Sequence, residues 1–398
     1  MARRNGGFIG TDGLDAPDPP TGVTGTADFG SASIAFTAPT DTGTSAITGF
    51  VAQVGGLGTA GTSSPLVVTG LTNGTAATAV VRAINAYGTS APSDASASFT
   101  PSGGDVGLFM GGSDAQGHIP NINRINIAST GNAADYGDLT VSRQLSAQFS
   151  SATRGVCAGG NEDQNVIDFV SLTSAGNATD FGDCATASRY NSGLSNATRG
   201  VFSAGNFTSN VIQYVTIANA GNSTDFGDLT VARRQTGSAS STTRGLFSGG
   251  YTGSAESNVM DYITIASTGD ATDFGNLTIT MRGNVGVASS TRAVFAGDEA
   301  QDGSGTSNVI SYVTIANTGN AADFGDLSAN RGSMGGASNK TRGVFAGGSG
   351  NTPDIKYITI ASTGNVVDFG DLPETTAGNT GMTFMPNGSC GTAHGGIG

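Results

Sequence analysis

The sequence predicts an all-β protein, an N-terminal Ig-like sandwich followed by a six-bladed β-propeller closed by its C-terminal strand. Three observations predict it. One phrase returns six times from residue 104 onward, at spacings of 45, 45, 48, 50 and 45 residues between its central aromatics. Each copy consists of short β-branched and aromatic runs with period-two alternation, bounded by turn residues. Before residue 101 that phrase is missing and most of the prolines occur.

Taken in order, residues 1–15 carry Arg3, Arg4 and the apolar pair Phe8 and Ile9, set among Gly6, Gly7 and Gly10. They lack a strand pattern. They are expected to form a docking arm that orders on a partner surface, for example by adding to a sheet edge.

Residues 16–101 contain the stretches ASIAFTAP, ITGFVAQV, SPLVVTGL and ATAVVRAIN, each ended by Gly, Asn or Pro. About seven strands fit, which is the arithmetic of a sandwich. With Pro19 and Pro20 before the first strand, Ile34, Phe36 and Pro39, Gly49 and Phe50, the Leu71, Thr72, Asn73, Gly74 turn, and Val81 to Asn85 followed by Gly88 and Pro92, the segment resembles a fibronectin type III domain. Phe36 stands where that family has a core tryptophan and Ala77 where it has a corner tyrosine, so its packing is expected to differ.

Residues 102–398 are the expected propeller. TRGVCAGG at 153–160 recurs as TRGVFSAG, TRGLFSGG, TRAVFAGD and TRGVFAGG, with a degenerate GLFMGG at 107–112. A strand phrase such as VIQYVTIAN follows, then a third phrase such as NSTDFGDLT. The first phrase, the second, the Asp-Phe-Gly-Asp segment and an Arg-x-x-Gly-x-Ala-Ser segment make four short strands, the size of a propeller blade. The first unit lacks the preceding Arg-x-x-Gly-x-Ala-Ser strand, while residues 375–391 align with residues 231–245. The C-terminal segment is therefore expected to complete the first blade; an open solenoid would instead show atypical capping repeats.

A residue present in every repeat does a repeat's job. The Asp-Phe-Gly-Asp carboxylates are expected to meet the recurring arginines, Arg154, Arg199, Arg244, Arg292 and Arg342 together with Arg143, Arg189, Arg233, Arg282 and Arg331, or to bond turn backbone. Calcium in these turns is the alternative, against which stands the missing Asp-x-Asp-x-Asp-Gly spacing. Phe202, Phe247, Phe295 and Phe345, with Tyr214, Tyr262, Tyr312 and Tyr357, are expected in the core between blades. Insertions at 113–120, 251–257 and 299–307 are expected to lengthen one loop position on one rim. His118, Tyr190, Phe207 and Tyr251 break the repeat pattern and are the candidate rim contacts.

Composition narrows the function. Net charge is −13, Lys340 and Lys356 are the only lysines, and His118 and His394 the only histidines. Nucleic acid and anionic membrane are disfavoured as partners, and so are His-based catalysis and metal ligation. Cys157, Cys184 and Cys390 have no metal-ligand or disulfide spacing. No catalytic residue, cofactor or metal is expected, and the chain reads as no enzyme. The start has no apolar signal-peptide core, so synthesis in a cytoplasm is expected.

From residue 104 to residue 391 the T-R-G-V-F-x-G-G and V-T-I-A-x-T-G-N-A-x-D-F-G-D-L phrases resemble those of kelch-like β-propeller virion structural and fibre proteins of marine bacteriophages. What the resemblance implies is a virion protein on the particle surface, as capsid decoration or as a head or tail fibre. Its arm would bind other virion proteins, its propeller would face a host glycan, a host receptor or a neighbouring subunit, and homo-oligomers are expected. The alternatives are a lectin-like adhesin and a glycan-active propeller enzyme, the latter needing non-repeating acids converging on one site.

Overall fold

The computed structural model describes residues 14–28, 30–72, 75–101, 106–114, 117–172, 174–203, 205, 209–299, 305–349, 352–373, 382–383 and 388–389. The expected docking residues Arg3, Arg4, Phe8 and Ile9, and the rim candidate Phe207, lie outside them. The described chain is all-β apart from a short 3-10 turn at Asn161–Asp163, and it divides into two compact units, Met1–Gly103 and Gly104–Gly398.

In the first unit seven strands form two antiparallel sheets. Thr21–Asp28, Ser31–Thr37 and Leu66–Thr69 make one; Leu57–Gly61, Ile47–Val54, Ala79–Asn85 and Gly88–Thr89 make the other. Alternation sets what is buried: Ala32, Ile34 and Phe36 point in from one sheet, Ala79, Val81 and Ala83 from the other, into a common core. The Phe36 ring packs 4.8 Å from that of Phe50. Ala77 exchanges backbone hydrogen bonds with Phe99, whose ring covers Gly25.

After Thr89 the chain does not continue as a strand. Ser90, Ser93 and Ser96 donate their backbone N–H groups to the carbonyls of Ala83, Val81 and Ala79, and each Oγ accepts the N–H of the same partner at 2.9–3.0 Å. Three residues advance here for every two on the strand, the repeat of polyproline II. The segment SAPSDAS thus satisfies the sheet edge that it lies along.

Among the described residues the second unit contains six sheets: five of four antiparallel strands, and a sixth of four antiparallel strands with a fifth strand parallel at its edge. Sheets two to six start at Ala147–Ser150, Gly193–Ser195, Gly237–Ser240, Val285–Ala288 and Gly335–Ser338. These first strands are fully buried and rich in Gly, Ala, Ser and Val, with Gln148 and Phe149 the large residues of the second sheet's, and hydroxyls link neighbours: Ser195 Oγ donates to the Ser150 carbonyl at 2.7 Å and Ser240 Oγ to that of Ser195 at 2.8 Å. Second strands bury Phe202, Phe247, Phe295 and Phe345, as expected of the recurring aromatics. Each such ring contributes roughly 2 kcal/mol by burial.

Consecutive sheets meet at a joint that repeats. The glycine of a Thr/Ala-Gly-Asn/Asp turn donates its N–H to the carbonyl of the aromatic in the preceding sheet's Asp-Phe/Tyr-Gly-Asp/Asn strand: Gly176 to Tyr136, Gly221 to Phe181, Gly269 to Phe226, Gly319 to Phe274 and Gly364 to Phe324, at 2.6–2.9 Å. The sixth bond, Gly131 to Phe369 at 2.8 Å, joins the first sheet to the last. The following side chain accepts across the same joint, as when Asn222 Oδ1 takes the Asp183 N–H and Asn132 Oδ1 takes that of Asp371, both at 3.0 Å.

Here the expected Asp–Arg pairing is corrected. Arg154, Arg199, Arg244, Arg292 and Arg342 stack at 4.3–4.5 Å over Phe169, Tyr214, Tyr262, Tyr312 and Tyr357, and each donates Nη1 to an isoleucine carbonyl of the next sheet. Arg342 reaches Ile127 of the first sheet. The aromatics in turn stand edge-on to Phe181, Phe226, Phe274, Phe324 and Phe369. A guanidinium on a ring face keeps its charge near water while its fork satisfies a carbonyl. The Asp-Phe-Gly-Asp carboxylates remain at the surface, and among the described residues the one ion pair they form is Asp368 with Lys356.

The first sheet is completed differently from the others. Met382–Thr383 pairs antiparallel with Val106–Asp114, but at Ser113 and Asp114, beyond the positions where first strands of the other sheets pair. Gly388–Ser389 pairs in parallel with Gly335–Gly336 in the sixth sheet. Two of the three expected rim loops are also extensions of strands: Val106–Asp114 with Gly117–Asn126, and Arg292–Glu299 with Gly305–Thr314, are long hairpins. Only the 251–257 insertion is a loop, closed by bridges of Tyr251 to Arg234 and Glu256.

Candidate functional site

The crossing from one sheet to the next carries two arginine registers that sequence alignment merges. Leu145, Tyr190, Gln235 and Ser333 have φ between 52° and 60° and Gly283 has 59°, so these five residues are structural equivalents. Two positions earlier stand Arg143, Ser188, Arg233, Met281 and Arg331; one position earlier stand Gln144, Arg189, Arg234, Arg282 and Gly332.

The earlier register is structural. Arg143 bonds Asp168 at 2.9 Å and Arg233 bonds Asp261 at 3.0 Å, all four side chains fully buried. Thr140 and Thr230 hydroxyls also donate to these carboxylates. Where the crossing residue is Ser188 the acid is replaced by Gln213, and where it is Met281 by Ser311, so at this position a buried carboxylate occurs only opposite an arginine. In the sixth sheet Lys356 takes the acid's place, and Arg331 turns to Asp354 at 3.2 Å. Burial pulls the Arg233 guanidinium below its ordinary range, with Asp261 opposing.

The later register builds a row. Arg189 lies 5.6 Å from the Tyr190 ring centre, Arg234 lies 4.9 Å from Tyr190 and 5.3 Å from Tyr251, and Arg282 lies 5.1 Å from Tyr251. Guanidinium and phenol thus alternate across the crossings into sheets three, four and five. Arg189 approaches Asp163 at 3.6 Å and Arg282 approaches Glu256 at 3.7 Å; the buried Asp298 accepts the Arg282 backbone N–H at 2.9 Å. Both tyrosines are half-buried, as is Arg234. Three cations and three carboxylates make the row locally neutral. Burial and the Asp298 carboxylate raise the Glu256 carboxyl above its usual range, Arg282 opposing.

Of the candidate rim residues, Tyr190 and Tyr251 are therefore brought together through Arg234. His118 is exposed in the first hairpin, opposite Ser113, and is not part of the row. Arg234 escaped sequence reasoning, although the adjacent Arg233 and Arg234 displayed both registers in one copy. A separate cavity of about 470 Å³ opens in the first unit, lined by Val54, Leu57, Leu71, Thr75, Ser98 and Pro101 among others. Among the described residues no group of three or more His, Cys, Asp or Glu side chains is placed to hold a metal. No protein-family model matches the chain, and neither does any curated protein.

Proposed function

We propose that the chain is a non-catalytic bacteriophage virion protein displayed on the particle surface, as capsid decoration or as a head or tail fibre. In this reading the first unit is a fibronectin type III-like spacer and the second a closed six-bladed propeller of kelch-like repeats. Residues 1–15 dock on other virion proteins, and the Tyr190–Arg234–Tyr251 row faces a host surface or a neighbouring subunit. The resemblance of the repeat phrase supports the virion assignment, and the recurrence of every joint contact between sheets six and one supports closure.

One observation carries the reading: the buried ionic chemistry of the second unit is spent on holding its sheets, while side chains that break the repeat gather at one neutral, half-exposed row. A scaffold with one decorated face suits recognition. Mass spectrometry of purified particles tests it. The chain is expected among the structural proteins, and its absence from them overturns the assignment. Deleting residues 1–13, which leaves the Asp15 hydrogen bonds to Thr44 and Asn85 in place, is expected to abolish incorporation without unfolding the second unit.

A further inference from the structure

We infer that the Tyr190–Arg234–Tyr251 row is a binding site for a neutral, hydroxyl-rich glycan; the inference rests on the display reading and names what the displayed face would take. Three features of the row select this ligand. Arginine forks and carboxylates, here the partly exposed Arg189 and Arg234 with Asp163 and Glu256, are planar donors and acceptors that match vicinal hydroxyls two at a time, while Arg282 and Asp298 are buried and serve the row only through their charge. Their charges balance, whereas a site for a polyanion carries an excess of cations. Half-buried Tyr190 and Tyr251 add aromatic surface with a polar tip, the combination that packs on a sugar ring and bonds its hydroxyls.

The rest of the surface argues against the competing ligands. The exposed large apolar side chains Leu57, Val67, Tyr87, Val141, Val231 and Val367 all lie outside the row, so it offers no greasy groove for a peptide. A net charge of −13 repels nucleic acid and acidic polymers. Tyr190 and Tyr251 are also dispensable to the fold, because their equivalents are Leu145 in the second sheet and Ser349 in the sixth.

That equivalence supplies the variants. The purified full chain is applied to a printed panel of neutral oligosaccharides of hexoses, N-acetylhexosamines and deoxyhexoses, beside uronate- and sulfate-bearing oligosaccharides and single-stranded DNA. Binding to one or more neutral glycans is expected, unchanged between about 0.05 and 0.5 M salt, where a polyanion would be released. Tyr190→Leu and Tyr251→Ser are expected to weaken it more than about tenfold, and Tyr87→Ala in the first unit to leave it unchanged. Failure to bind any neutral glycan, equal binding by both row variants, or binding confined to the acidic glycans or DNA overturns the inference. Detection of the chain on particles is a separate readout, so the two proposals fail independently.

Discussion

Gln148 stands in for a strand at Met110: its Nε2 donates to the Met110 carbonyl at 2.7 Å and its Oε1 accepts the Met110 N–H at 3.2 Å. The corresponding residues of the following sheets are Gly193, Ser238, Gly286 and Gly336, none of which could reach. A long carboxamide occurs just where the neighbouring sheet begins with its second strand. Gln148→Ala is expected to destabilise the chain by about 1–3 kcal/mol, since two buried backbone groups lose their partners. Urea unfolding checks this, and an unchanged midpoint would show that water serves Met110 equally well.

The buried ion pairs predict a non-additive pair of substitutions. Asp261→Ser alone leaves the Arg233 charge buried and is expected to lose about 3–5 kcal/mol. Arg233→Met with Asp261→Ser copies the fifth sheet's Met281 and Ser311, and is expected to recover most of that loss. A double-mutant cycle by denaturation measures the coupling; strict additivity would mean that the pair is not a unit.

Glycines at the joints differ in what surrounds them. A Cβ on Gly182 would lie 2.5 Å from the Gly221 carbonyl, whereas one on Gly221 would meet nothing within 4 Å. Gly182→Ala is expected to cost several kcal/mol by pushing two sheets apart, and Gly221→Ala only the roughly 1–2 kcal/mol of an unfavourable φ. Comparing their thermal midpoints decides whether close approach or backbone freedom selects these glycines.

Glu256 predicts a pH effect. Its raised pKa means that the folded chain holds this proton more tightly than the unfolded chain does. The stability it contributes is therefore full below the ordinary glutamate value and is lost as pH rises through the folded one. Glu256→Gln is expected to flatten the urea-unfolding free energy across that window, and an unaltered slope would remove Glu256 as its source.

Burial pushes the Cys184 thiol up to about 12, against the pull of Arg143, and Cys157 is equally enclosed. At about pH 8 neither is expected to react with an aromatic disulfide in the native chain, and both should do so in denaturant. Peptide mapping distinguishes them from Cys390, and native labelling of either would contradict the packing.

Strands were legible because period-two alternation and turn glycines are local signals, which place Val211–Thr216 and its counterparts directly. The joints were not, because they depend on partners about 40 residues away: Asn222 reads as a turn residue until Asp183 is seen to donate to it. The same applies to Arg154 and its kin, whose charge suggested an Asp partner while the ring of Phe169 was the nearer fit. Within the candidate row, Tyr190 and Tyr251 were visible as breaks in the repeat. Arg234 was hidden by its neighbour Arg233, whose register happens to align with the structural arginines.

The exposed aspartates of the six outer strands have a consequence for crowded surroundings. A strand at the margin of a sheet can pair with any similar strand nearby; here the joint already takes the outward groups of the aromatic and the last residue, as Gly221 and Ser223 take the Phe181 and Asp183 carbonyls and Asn222 the Asp183 N–H. With Asp135, Asp180, Asp225, Asp273, Asp323 and Asp368 each facing solvent there, two copies brought side by side repel before their backbones can pair. Many copies can then stand shoulder to shoulder without fusing into fibres.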